Sequence, residues 1–107
     1  MLPRERRVTQ TSEIMAVFKR GRRFSIGPVV CSHLAKPGSM SRATVIVSKK
    51  VSKLAVTRNL LKRRARAVLE RDSWAAGALV VQLHPSAKDE SFAELQAQLK
   101  TCLRRLR

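Results

Sequence analysis

Phe92, Leu95, Leu99, Cys102, Leu103 and Leu106 recur at helical spacing behind Ser91 and Glu94, which form a capping box. A helix that is apolar along one stripe must bury it, so the rest of the chain has to supply a covering surface. Three stretches rich in β-branched or apolar residues offer one: VVCSHLA at 29–35, ATVIV at 43–47 and ALVVQL at 78–83. Arg104, Arg105 and Arg107 fall at the negative end of the same helix, where cations are favoured.

Two more helices complete the pattern. Ser12 is expected to cap the first, which ends near Arg20 at Gly21; Ile14, Met15 and Phe18 share its apolar face. The second is expected from Val56 or Thr57 to Arg71 or Asp72, with Leu61, Ala65, Val68 and Leu69 on one side. Pro37-Gly38-Ser39 separates the first two strands and predicts an antiparallel hairpin with a loose loop. The order is helix, strand, strand, helix, strand, helix, with no internal repeat. It predicts a single α+β domain over residues 1–107, three helices packed on a small mixed sheet. The second strand, the second helix and the third strand can form a crossover unit, for which the general rule expects a right-handed connection.

The charge constrains the partner. Lys and Arg number 23 against 7 Asp and Glu, a formal net charge of +16 on 107 residues. That excess opposes compaction unless a polyanion offsets it, and the cations are interleaved with periodic apolar residues rather than gathered in a tail. RNA or DNA is the expected partner. No apolar run follows Arg4, Arg6 and Arg7 as a signal peptide would require, and no segment approaches a membrane span, so no membrane role and a reducing cytoplasm are expected.

Catalytic groups are scarce. Cys31 and Cys102 have no cysteine nearby in the sequence, and His33 and His84 stand alone, so no zinc spacing exists; both thiols are expected in the core. Asp89-Glu90 is the one adjacent acidic pair, and its place before a helix start gives it a dipole role. The four glycines are scattered and form no phosphate loop. The chain is not expected to be a catalyst on its own, nor to bind a metal itself.

Binding has a stronger signal in SKKVSKLAVTRNLLKRRAR, residues 48–66. Lys49, Lys50 and Lys53 precede the second helix, and Arg58, Asn59, Lys62, Arg63 and Arg66 continue on it with no acid before Glu70. Cations without acidic neighbours one turn away repel each other, so this grouping requires an external anion and reads as a phosphate-binding surface. Phe18 and Phe24 flank KRGRR, where an aromatic ring beside cations can hold a single-stranded nucleotide; Trp74 is expected to cover a core edge.

These residues resemble the protein subunit of bacterial ribonuclease P, which takes part in trimming the 5′ leader from precursor tRNA. The resemblance spans nearly the whole chain: a basic opening, a first helix ending VFKRG, VSKKV after a strand, then Arg58-Asn59-x-x-Lys62-Arg63-x-x-Arg66, a strand and a terminal helix. It implies that the RNA subunit performs phosphodiester hydrolysis with bound Mg2+ and that Lys49, Lys50, Lys53, Arg58, Asn59, Lys62, Arg63 and Arg66 lie near that ribonuclease P RNA. It implies further that precursor tRNA is a partner, its leader held as a single strand in a cleft lined by Ile14, Phe18, Arg22, Val30 and Ser32, and that no obligate protein partner is needed. A left-handed βαβ crossover is implied as well, against the general rule. Three features depart from the family pattern. Leu60 stands where Arg is usual, turned toward Arg64 and Arg71, and Ile14 and Ser32 stand where relatives often carry aromatics. The competing readings are a ribosomal-protein-like structural RNA binder and a small independent nuclease.

Overall fold

The structure, a computed structural model, describes residues 4–106. Arg107, expected at the end of the last helix, lies outside the described residues. The chain runs through α1 (Thr11–Arg20), β1 (Arg22–Ile26), β2 (Val29–Ala35), β3 (Ser41–Ile46), α2 (Ala55–Arg71), β4 (Gly77–Leu83) and α3 (Phe92–Arg105), with short 3-10 turns at Arg4–Arg6 and Pro85–Asp89. The strands form one mixed sheet in the order β1-β2-β4-β3, and β3–β4 is its parallel pair. The fold is α+β, three helices on a small mixed sheet, as the pattern predicts.

The expected hairpin between residues 29–35 and 43–47 does not form. β4 inserts between β2 and β3, antiparallel to the first and parallel to the second. The Pro-Gly-Ser turn reports only that the chain reverses; pairing goes to the most continuously apolar strand, whose Leu79, Val80 and Val81 are all 0 % exposed. α2 therefore carries the crossover between the parallel neighbours β3 and β4. Gly77 is needed at its far end, since it adopts φ +132° and a Cβ there would run into the Leu34 carbonyl.

β1 is a strand that the sequence pattern concealed. It pairs with β2 through a tight turn at Gly27 (φ +57°) and Pro28, with Ile26 opposite Val29. Phe24 and Ile26 alternate inward while Arg23 and Ser25 stay exposed, so only two apolar residues marked it. The first helix also begins differently: Gln10 occupies its N-cap without a side-chain cap bond, and Ser12 lies inside the first turn. Its entry is set instead by tertiary anchoring, because Val8 is buried and donates its N–H to Ala43 O at 2.9 Å. This N-terminal segment bridges Ala43 in parallel and so covers the edge strand β3.

The sheet has two differently used faces. Val29, Cys31, Val45, Leu79, Val81 and Leu83 meet Leu61, Ala65, Val68 and Leu69 of α2 and Leu95, Leu99, Cys102 and Leu103 of α3 in the main core. Each fully buried leucine there contributes about 1.5–3 kcal/mol relative to exposure. Trp74 closes one edge of this core, as expected, with the Arg6 guanidinium 5.1 Å from its ring centroid. Cys31 and Cys102 are both free and buried, and they meet; the hydrogen bond between them, followed by burial, pushes the Cys31 thiol up. On the other face Val17 of α1 packs with Val8, Ala78 and Val80, bordered by Ile14, Leu34 and Ile46. α1 covers only part of that face.

Candidate nucleic-acid interface

The loop before α2 is held by apolar anchors so that its lysines project. Val47 and Val51 are buried, Val51 N–H closes a turn onto Ser48 O at 3.1 Å, and Lys49, Lys50 and Lys53 are exposed around it. α2 follows with no acid in its first turn and an N-cap, Leu54, that supplies no side-chain acceptor. The positive end of the helix thus adds to the lysine field instead of being neutralised.

Buried Leu61, Ala65, Val68 and Leu69 fix the rotation of α2. At about 100° per residue this turns Asn59 and Arg63 to solvent and leaves Lys62 and Arg66 half-buried on the β3 flank. Arg58 has a structural contact besides the one expected of it: its Nη1 donates to Ser52 O at 2.9 Å and ties the lysine loop to the helix. It positions the cationic loop. Arg66 extends the surface toward the N-terminal segment, lining with Arg7, Val8, Thr9, Ala43 and Thr44 a cavity of about 200 Å³. Leu60 lies on the opposite flank, and its neighbour Arg64 reaches toward α3, 4.8 Å from the Phe92 ring centroid.

The expected leader cleft is an open strip on the α1 side of the sheet. Phe18 is 38 % exposed, and Ile14 and Val30 are half-buried beside it. Ser32 shares the face with Val30 but is 2 % exposed, so it forms floor beneath α1 and not a contact surface. Arg22 is also misplaced by the sequence reading: it pairs with His33, on the α2–α3 face, whereas Arg23 pairs with Ser32 on the cleft face. Gln82, opposite both Val30 and Ile46, was missed as well. Recognising the Phe24/Ile26 alternation as a strand was the signal that could have located Arg23. Phe24 itself packs against the main core under Arg105, 6.0 Å from its ring centroid, and does not reach the cleft. If the register governs binding, Arg23→Ala should weaken affinity for a single-stranded leader several-fold while Arg22→Ala has the smaller effect. Equal losses in a filter-binding comparison would contradict the assignment.

Both histidines and the α3 cap have structural partners. His33 is buried and its Nε2–H donates to Ala75 O at 2.9 Å; His84 Nδ1 accepts from Ser86 N–H at 3.2 Å at the start of a 3-10 turn. Ser91 Oγ accepts from Glu94 N–H at 3.1 Å, capping α3 as expected. Among the described residues no group of three or more His, Cys, Asp or Glu is placed to hold a metal ion.

Comparison with known proteins matches this arrangement. The Ribonuclease P family profile covers residues 2–107. The chain is 37% identical over 106 residues to the ribonuclease P protein component of Xylella fastidiosa, covering 97% of this chain and 78% of that one. It is 35% identical over 109 residues to that of Clavibacter michiganensis, covering 98% and 96%. The fold is shared with the RNase P protein of Staphylococcus aureus (TM-score 0.83, 23% identity, 94% of each chain covered). It is shared equally with that of Thermotoga maritima (TM-score 0.83, 22% identity, 94% of this chain and 97% of that one). A basic, crossover-borne helix on this sheet and a match over nearly the whole length lead to one assignment: the chain belongs to the ribonuclease P protein family.

Proposed function

We propose that this chain binds the RNA subunit of ribonuclease P through α2 and the Lys49, Lys50 and Lys53 loop, and holds the 5′ leader of precursor tRNA along the cleft beside α1. The supporting observation is that two unlike surfaces meet at the β3 edge. Arg66 of the cationic helix and Thr44 of the cleft face line the same cavity, so one polyanion can pass from one surface to the other. Phosphodiester hydrolysis belongs in this reading to the RNA subunit with its Mg2+. The protein's cations offset phosphate repulsion and so favour metal binding by the RNA. The place of action is the cytoplasm, with both RNAs.

Reconstitution tests it directly. Purified chain added to ribonuclease P RNA should raise cleavage of precursor tRNA at magnesium concentrations where the RNA alone is slow, and the gain should grow with leader length. Phe18→Ala should reduce that leader-dependent part by about 1–3 kcal/mol if one base stacks on the ring. No gain over RNA alone would sink the proposal, and a gain indifferent to the leader would confine the protein to RNA scaffolding.

A further inference from the structure

α1 divides its sheet face into two grooves. Around the helix, at about 100° per residue, Ile14, Met15 and Phe18 lie on one flank of buried Val17, and Glu13, Ala16 and Arg20 on the other. The first flank borders the cleft described above. Beside the second lies a separate cavity of about 390 Å³, lined among others by Glu13, Arg20, Leu34, Lys36, Arg42 and Ala78.

Its chemistry is divided between floor and rim. Leu34 and Ala78 pair across β2 and β4 and make an apolar floor. Arg42 is fixed on the rim: Nη1 donates to Glu13 Oε2 at 2.7 Å and Nη2 to Arg7 O at 3.0 Å. A guanidinium held in place presents a planar face on which a base can stack. Glu13 is thereby neutralised, while the charged groups of Arg20 and Lys36 have no ion-pair partner among the described residues. The rim therefore has a net positive charge directly above an apolar floor. A free phosphate would use only the rim; a nucleotide uses both, and the volume falls within the roughly 300–1,000 Å³ typical of small-ligand sites.

We propose that this groove is a second nucleotide subsite, taking one unpaired RNA nucleotide with its base against Leu34, Ala78 and the Arg42 plane and its phosphate between Arg20 and Lys36. The proposal rests on the RNA-binding reading above but concerns the opposite flank of α1. It doubles the single-strand contacts that one helix organises.

The test uses the full chain and a short single-stranded oligoribonucleotide, followed by backbone amide shifts. Titration should move Leu34 and Ala78 as well as Ile14 and Phe18. Ser39→Trp adds bulk at a half-buried lining position in the loop between β2 and β3 without changing charge. It should abolish the titration shifts at Leu34 and Ala78 and weaken binding, leaving those at Ile14 and Phe18. The double variant Arg20→Ala/Lys36→Ala should reduce the slope of log affinity against log salt by about 0.7, the value for one single-strand phosphate contact. Binding weakened by the charge variant but untouched by Ser39→Trp would overturn the proposal, since that is diffuse attraction. Shifts confined to the Phe18 flank would overturn it while the proposed function stands; no binding on either flank would instead count against the proposed function. Repeating the Ser39→Trp comparison with ribonuclease P RNA and with precursor tRNA separately identifies the source of the nucleotide. A loss with either supports the subsite, and a loss with neither removes it.

Discussion

Replacing Lys62, Arg63 and Arg66 together by alanine is expected to lower affinity for ribonuclease P RNA by about two to three orders of magnitude near 0.1 M salt. The estimate follows from counterion release, at a slope of about 0.9 per neutralised phosphate on a duplex. The same variant should therefore flatten the salt dependence by about 2.7, and its deficit should shrink as salt rises. Stability should hardly change, because these side chains are outside the buried stripe of α2 and make no ion pair with one another. Filter binding across a salt series checks both numbers. A deficit independent of salt would mean that the three residues act through the fold and not through phosphate contact. Arg58→Ala should behave differently, since its guanidinium holds the Ser52 carbonyl. Its loss loosens the lysine loop, and a partial affinity loss is expected from one substitution.

Leu103→Ala is expected to destabilise the protein by about 2–5 kcal/mol, the range for a leucine removed from a packed core without full relaxation. Leu103 is 0 % exposed and sits where α3 meets the sheet and α2. At this chain length such a loss lowers Tm by about 10 °C or more. Val56→Ala is the matched control: Val56 is 81 % exposed at the start of α2, and its change should stay within about 0.5 kcal/mol. Thermal melts followed by circular dichroism separate the two. Comparable losses would show that the core is not where the apolar stripe of α3 places it.

The helices were legible because their signals are local. Ser91 caps α3 and the inward stripe from Leu95 to Leu103 buries as its spacing requires; α2 begins within two residues of its expected start. The strands were legible as strands but not as partners. Residues 29–35 and 43–47 carry the same β-branched composition whether they pair with each other or with β4, and alternation contains no information about the neighbour. β1 escaped notice because Arg22, Arg23 and Ser25 read as polar loop residues, with Phe24 and Ile26 its two partly buried apolar residues. That omission also left the faces of the two arginines unassigned: without a strand there is no register, and without a register Arg22 and Arg23 are indistinguishable.

By itself the sequence determined the type of elements, the single cationic run around α2 and the polyanionic character of the partner, because these follow from short-range periodicity and from charge that must be offset. Only the tertiary structure decided which strands are neighbours, that Arg58 braces a loop, that Ser32 is floor, and that α1 leaves a groove on each side. Those outcomes depend on contacts between residues far apart in the chain. They are settled by which apolar surfaces bury best together, and no local pattern encodes that choice.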